Sequence, residues 1–169
     1  PDIIMVGEMR DKDSFQAALQ AADTGHLVMT TLHAANSSQA VNRILDFYQR
    51  EEQDSIREAL AINLRSIVSQ RLMPRAFGGG VVPAVEIMVN SPIVKKLIED
   101  NKLEKLSQAV EAGGEEGMLS FNKSLLGLVN GGEITVEDAL QAASNPETLK
   151  MNLKGIFSVS GLEAAWRAS

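Results

Sequence analysis

A carboxylate and two histidines are spaced around two short apolar runs near the start of this 169-residue chain. Glu8 follows the first run, Ile3–Val6, by a single glycine, and His26 and His33 stand on either side of the second run, Leu27–Leu32. An acidic side chain at the end of a sheet strand can hold Mg²⁺ or its hydration water, and an imidazole can donate to a phosphate oxygen. Metal-assisted phosphoryl transfer is one chemistry that such groups can support, although an acidic loop alone is a weak signal for it.

The elements that would position these residues are a strand, a helix and a second strand. Ile3–Val6 is too short and too β-branched for a helix, and Leu27–Leu32 is the next apolar run. Between them, residues 11–13 can cap a helix that stops at Thr24-Gly25. A crossover of this kind makes the two strands parallel, so their carboxyl ends lie at the same edge of the sheet.

Parallel strands separate the two histidines. We expect His33 to lie at the same edge as Glu8, and His26 to lie at the opposite edge, about 20 Å from His33 along the extended strand. The two imidazoles cannot share a metal ion across that distance. His26 is expected to brace a helix end or a subunit contact, whereas His33 can serve as a donor or a nucleotide sensor beside a terminal phosphate.

Ordinary structural roles remain open for each of these residues. The acidic loop can be a solvated turn containing an Arg10–Asp11 ion pair, since most acidic loop residues are solvated. Either histidine can be a hydrogen-bonded structural residue. Thr31 can be a sheet residue only, or its hydroxyl can reach the same site as His33.

The rest of the chain continues the α/β pattern and then becomes helical. Ser37 or Ser38 can cap a helix, and an apolar series from Ile56 to Ile67 has helical spacing. Three glycines then join two strands as a hairpin, and Ser91-Pro92 is a typical helix start. The predicted strands are Val68–Pro74 and Val81–Val89, and the predicted later helices are Lys95–Leu106, Ser107–Ala112, Met118–Asn130, Thr135–Ala143 and Pro146–Leu153.

Composition excludes several classes of protein. A hydrophobic content of 44% with 22% charged residues is typical of a globular domain with a real core. A net charge of −6 without a long basic run argues against a nucleic-acid partner. The absence of cysteine fits a reducing compartment. Because an apolar strand begins two residues after Pro1, we expect the chain to be the C-terminal part of a longer polypeptide.

The run from Pro1 to Asp11 and the two histidine segments resemble the Walker B and histidine boxes of the type IV pilus retraction ATPases, the PilT and PilU group of secretion ATPases. Ser69-Gln70-Arg71-Leu72 and Ala84-Val85-Glu86-Ile87-Met88 resemble the hairpin of that family. Lys95-Lys96 replaces the Arg-Asn of an element found in PilT proteins, a departure from the PilT pattern. With the segment Asn63–Leu72 and the added helix after Asn145-Pro146, the resemblance is closer to PilU.

The resemblance implies an α/β fold, the C-terminal part of a RecA-like P-loop ATPase core, followed by a small all-α subdomain. The core would occupy residues 1–90, the helical subdomain 91–154 and a tail 155–169. No Gly-x-x-x-x-Gly-Lys-Ser/Thr motif occurs in the chain, so Walker A would lie upstream and these residues alone are expected to be inactive.

The implied function is that of a subunit in a hexameric motor that hydrolyses ATP with Mg²⁺ to drive pilus retraction and twitching motility. Glu8 would hold Mg²⁺, directly or through water, and His33 would report on the terminal phosphate. The implied partners are further copies of the chain, a partner retraction ATPase and an inner-membrane platform protein, in the cytoplasm at that membrane. The positions implied to contact nucleotide are Arg10, Asp11, Thr31 and His26.

A second function of a different class remains open. The chain could be a non-catalytic module that supplies ring contacts while a partner ATPase turns over nucleotide. Pilus assembly or type II secretion is a related alternative, but those ATPases usually carry a tetracysteine insertion and this chain has no cysteine.

Overall fold

Helices alternate with two pairs of strands in the computed structural model, which describes the backbone of residues 1–160 and the side chains of residues 1–155. The elements in chain order are β1 (Ile3–Glu8), α1 (Lys12–Asp23), β2 (Leu27–Thr31), α2 (Ser37–Leu45), α3 (Arg50–Asn63), β3 (Ser66–Pro74), β4 (Val81–Val89), α4 (Pro92–Glu99), α5 (Leu106–Ala112), α6 (Phe121–Asn130), α7 (Val136–Ala142) and α8 (Pro146–Ser160). Residues 1–69 and 86–118 form unit 1, and residues 70–85 with the described residues from 119 onward form unit 2.

The first two strands of unit 1 pair in parallel, as the sequence predicts. Ile3 lies opposite Leu27 and Val6 opposite Thr30, after which the register shifts so that Glu8 lies opposite Thr31. The strand β1 is therefore longer than the predicted Ile3–Val6, because it continues through the irregular step at Gly7.

Helix α1 forms the crossover between these strands. Asp11 caps its first turn, where its carboxylate accepts a hydrogen bond of 2.8 Å from the Ser14 backbone N–H. Phe15, Ala18 and Leu19 are buried in unit 1. The helix ends at Thr24, and Gly25 follows with φ of 93°, which an L side chain rarely adopts.

The cap of α2 differs from the predicted one. Asn36 is the capping residue, and its side chain accepts a hydrogen bond of 2.9 Å from the Gln39 backbone N–H. The predicted caps, Ser37 and Ser38, lie inside the helix and donate their hydroxyls to other elements of unit 1. Three consecutive polar residues could each cap, and long-range partners decide which one does.

Helix α3 is shorter than its apolar spacing predicts. It ends at Asn63, and Leu64 already has extended backbone angles, so Ile67 belongs to β3 and not to the helix. The Asn90 side chain, from the end of β4, donates to the carbonyls of Ala61 and Leu64. These bonds satisfy carbonyls at the helix end that would otherwise lack partners, which favours termination there.

The predicted glycine-turn hairpin is present. β3 and β4 form a two-stranded sheet, and Gly78, Gly79 and Gly80 all have positive φ, between 72° and 81°. The Arg75 backbone N–H donates to the Gly80 carbonyl at 3.1 Å and closes the turn.

The predicted helix over residues 95–106 is interrupted. α4 starts at Pro92 after Ser91, although the Ser91 hydroxyl makes no capping bond, and it ends at Glu99. Asn101 then has a left-handed φ of 55°, which stops an α-helix, and the chain makes a short 3₁₀ turn before α5.

Packing does not follow the predicted boundary at residue 90. Val94 and Ile98 of α4 and Leu106 of α5 are fully buried in the same cluster as the apolar residues of α1, α2 and α3. The compact unit therefore includes residues beyond 90. The predicted division into functional domains at residues 1–90, 91–154 and 155–169 is not tested by this packing and stays a prediction.

Unit 2 has its own core, formed by helices α6, α7 and α8 with part of the hairpin. The buried Asn122 side chain donates to the Asn145 carbonyl at 2.8 Å and accepts from the backbone N–H of Ser144. The helix α8 continues to Ser160, so the predicted tail from Gly155 begins as helix. Trp166, predicted to dock on a neighbour or to be loose, lies outside the described residues. Across the described part of the chain, every helix is too short or too polar to cross a membrane.

The observed α2 cap gives a prediction about stability. Replacing Asn36 by alanine removes the acceptor for the Gln39 N–H and should lower the free energy of unfolding by about 1 kcal/mol, measured by urea denaturation. Asn36→Asp keeps an acceptor and should retain the stability. Equal stability of all three proteins would show that Asn36 does not cap the helix.

Candidate functional site

Glu8 and His33 meet at the carboxyl edge of the β1–β2 sheet. His33 Nε2 lies 3.0 Å from Glu8 Oε1, which confirms the predicted placement of both residues at one edge. The His33 side chain is 83% exposed and that of Glu8 is 24% exposed. An exposed imidazole beside a carboxylate at the end of parallel strands is open to a ligand.

The end of β2 is fastened to the end of β1 by two hydrogen bonds. The Thr31 hydroxyl donates to the Gly7 carbonyl at 2.7 Å, and the Met9 backbone N–H donates to the Thr31 carbonyl at 3.1 Å. Both bonds occur where the strand register shifts. Thr31, predicted as a nucleotide contact, therefore uses its hydroxyl to hold the backbone that carries Glu8.

Arg10 forms an ion pair with Glu8 and not the predicted pair with Asp11. Arg10 Nε donates to Glu8 Oε2 at 2.8 Å, whereas the Asp11 carboxylate is engaged in capping α1. The Arg10 hydrogen bond and charge, with a smaller contribution from His33, hold the pKa of Glu8 below its ordinary value. The site therefore presents an ionised carboxylate at neutral pH.

Asp11 belongs to the scaffold beneath the site. Hydrogen bonds from Ser14, first from its backbone N–H, lower the pKa of the Asp11 carboxyl, so it stays charged beside the helix N-terminus. It thus orients the start of α1 immediately after the loop that bears Arg10.

His26 lies at the other end of β2, as the strand geometry predicts. Its Nδ1 is 3.0 Å from the Ala21 carbonyl and 3.1 Å from the Thr24 hydroxyl, so the imidazole fastens the end of α1. The structure does not bring His26 together with Glu8, because β2 separates them. The predicted nucleotide contact of His26 is thus not supported by its surroundings.

Glu8 is the group best suited to Mg²⁺, which prefers hard oxygen ligands and retains several waters. Among the described residues, no set of three or more histidine, aspartate, glutamate or cysteine side chains is gathered closely enough to enclose a metal. The donor set therefore fits one carboxylate contributing to a hydrated ion, directly or through water, and not an all-protein cage.

A buried carboxylate bonded to the start of α2 was not predicted. Glu86 of β4 accepts hydrogen bonds from Ser37 at the start of α2, although the two residues are 49 positions apart in the sequence. Nothing in the local pattern around either residue indicates this contact, since Glu86 simply alternates with apolar neighbours along a strand.

Comparisons with known proteins agree with this geometry. Residues 1–77 match the family described as "Type II/IV secretion system protein". The "Type IV pilus retractation ATPase PilT" of Pseudomonas aeruginosa is 42% identical over 147 residues, which are 87% of this chain and 42% of that protein. The chain therefore resembles the type II/IV secretion system proteins over residues 1–77 and the pilus retraction ATPase PilT over most of its length. It spans about two fifths of the length of the curated relatives that it matches.

Two further similar proteins extend the comparison. The "Type IV pilus ATPase PilU" of Pseudomonas aeruginosa is 36% identical over 91% of this chain and 40% of its own length. A crystal structure of the pilus retraction motor PilT with bound ADP superimposes with a TM-score of 0.78 at 37% identity, covering 89% of this chain and 42% of that one.

The likeness to these solved structures confirms the predicted α/β fold class. The ATPase DotB of Yersinia pseudotuberculosis has a similar fold, with a TM-score of 0.73 at 27% identity over 84% of this chain and 37% of that one. The predicted preference for PilU over PilT is not supported, because the identity to the PilT relative is higher.

The ion pair with Arg10 predicts how Glu8 titrates. Arg10→Ala removes the main cause of its lowered pKa, so the Glu8 pKa should rise toward its ordinary value in an NMR titration of the carboxyl carbon. Lys12→Ala is the matched control, because Lys12 pairs with Glu52 and not with Glu8. That variant should raise the pKa of Glu52 alone. A Glu8 titration insensitive to Arg10→Ala would contradict the ion pair.

Proposed function

We propose that this chain is part of a subunit of a hexameric motor that hydrolyses ATP to drive type IV pilus retraction. The observation that carries the proposal is the 3.0 Å contact between Glu8 and His33 at the carboxyl edge of parallel strands. The match of residues 1–77 to the type II/IV secretion system proteins and the likeness to PilT support the proposal that nucleotide binds at this edge.

Each residue of the edge has a distinct role in this proposal. Mg²⁺-bound ATP supplies the phosphoryl group and concentrates charge on the phosphate oxygens. The ionised Glu8 carboxylate would attract the metal and its hydration water, and the exposed His33 imidazole would exchange Glu8 for the terminal phosphate as a hydrogen-bond donor. Arg10, which lowers the pKa of Glu8, would contact nucleotide. Asp11, Thr31 and His26 support these groups through the backbone and α1.

The phosphate cradle comes from outside the 169 residues. A P-loop needs glycines followed by lysine and a helix, and the only glycine triplet, at 78–80, is the turn of a hairpin. Catalysis thus requires the Glu8 edge to meet a phosphate-binding loop supplied by another part of the motor.

The assembly and its location are part of the same proposal. Further copies of the chain form the ring, a partner retraction ATPase works beside it, and an inner-membrane pilus platform protein receives the motion. This places the motor in the cytoplasm at the inner membrane. Relatives named as pilus retraction ATPases support this assignment.

A non-catalytic ring-assembly module is the second candidate function. One side of the β1–β2 sheet exposes apolar residues, including Met5 at 64% and Ile3 at 56%, as a docking surface would. The absence of a P-loop motif within the chain also favours this function. The two functions differ in whether loss of the Glu8 carboxylate changes ATP turnover.

Glu8→Gln is the test of the catalytic function. In the full-length protein this near-isosteric change should lower kcat for ATP by at least on the order of a hundredfold, because the carboxylate that attracts the metal is lost. Nucleotide binding, measured with a fluorescent ADP analogue, should remain. Unchanged turnover would remove Glu8 from the chemistry and favour the docking module.

The two histidines should respond differently. His33→Ala removes the donor beside Glu8 and should lower kcat by about a hundredfold in the full-length protein. His26→Ala is the internal comparison, because it deletes the contacts with Ala21 and Thr24 and should lower thermal stability more than turnover. Equal, mild losses of turnover in both variants would contradict the proposal that the edge carrying Glu8 and His33 faces the nucleotide.

A further inference from the structure

A buried carboxylate is bonded to the start of the helix that follows the His33 loop. Glu86, in β4, is only 6% exposed, and its Oε1 accepts hydrogen bonds of 2.8 Å from both the backbone N–H and the hydroxyl of Ser37. Both residues belong to unit 1. Burying a charged group is costly unless it is hydrogen-bonded, and these two bonds offset part of that cost.

The Glu86–Ser37 contact matters because Ser37 lies at the start of α2. Ser37 is the first residue of α2 and is 1% exposed, so its backbone N–H is one of the donors at the helix start that have no partner within the helix. The Glu86 carboxylate supplies that partner and also places negative charge at the positive end of the helix dipole. Glu86 thus fixes the N-terminus of α2 in place.

His33 lies close in sequence to the start of α2, which Glu86 holds in place. Three residues separate it from Ser37, and two of them are themselves held, since Asn36 caps α2 and the Ala35 N–H donates to the Gln39 side chain at 3.2 Å. On the other side, Thr31 is bonded to Gly7 at the end of β2. The loop that carries His33 is therefore anchored at both ends.

The imidazole itself has little packing to hold it. With its side chain 83% exposed, the placement of His33 beside Glu8 depends on the backbone that carries it. A displacement of about 1 Å at a reacting group can cost on the order of a hundredfold in rate.

We propose that Glu86 and Ser37 are positioning residues, which fix the start of α2 and thereby hold the His33 imidazole against Glu8. Their catalytic consequence depends on the proposed function, because that function assigns His33 to the terminal phosphate. The contact between His33 and Glu8 can be measured without nucleotide, so the two proposals can fail separately.

The test uses the imidazole NMR signals of protein labelled with ¹⁵N-histidine, assigned with His26→Gln and His33→Gln. Ser37→Ala deletes the hydroxyl bond but keeps the backbone N–H bond to Glu86, so the protein should fold. Glu86→Gln removes the charge. Ser38→Ala is the matched control, because that neighbouring hydroxyl donates to the Leu103 carbonyl instead. Glu8→Gln marks the signal position of His33 without its carboxylate partner.

The expected result is specific to one histidine. Ser37→Ala and Glu86→Gln should shift the His33 signals toward their position in Glu8→Gln, while the His26 signals stay in place. Ser38→Ala should leave both unchanged. Wild-type His33 signals in Ser37→Ala, or equal shifts of both histidines, would overturn the positioning role. If Glu86→Gln does not fold, the His33 signals of Ser37→Ala alone test the positioning role.

Kinetics in the full-length protein provide the second readout. Ser37→Ala should lower kcat for ATP by about tenfold or more while KM changes little, because the reacting geometry is disturbed and nucleotide binding is not. Normal turnover in Glu8→Gln would refute the proposed function, whatever the His33 signals show. A strongly impaired Glu8→Gln with wild-type behaviour of Ser37→Ala would refute only the positioning role.

Discussion

The parallel pairing of β1 and β2 is the constraint on which the site depends. The register that sets Val6 opposite Thr30, and then Glu8 opposite Thr31, brings the ends of both strands to one edge. The Thr31 hydroxyl and the Met9 N–H fasten that edge where the register shifts. Without this pairing, a carboxylate and an imidazole 25 positions apart would have no reason to meet.

Charge at the edge is organised around a single carboxylate. Arg10 and His33 both contact Glu8, and Arg10 lowers its pKa, so the group is held as an anion and shared between two neighbours. Neither neighbour is buried, and solvent screening keeps each contact weak. A partly exposed, ionised and weakly held carboxylate can exchange these partners for a hydrated cation, as the proposed function requires.

The sequence predicted those structural features that depend on local residue types and on the order of strands and helices. The βαβ unit, the shared edge of Glu8 and His33, the Asp11 cap and the glycine hairpin follow from spacing and residue type. Features set by distant partners were missed. Asn90 bonds carbonyls at the end of α3, and Glu86 engages Ser37 so that Asn36 is left to cap α2. Such choices depend on which polar groups find partners in the folded core.

The central claim is that this strand edge faces the terminal phosphate of a bound nucleotide. A crystal structure of the full-length protein with Mg²⁺ and a non-hydrolysable ATP analogue tests it most directly. The account predicts Glu8 within hydrogen-bond reach of the metal or its waters, with the His33 imidazole directed at the γ-phosphate. A γ-phosphate remote from both residues, or one bound at the opposite end of β2 beside His26, would contradict it.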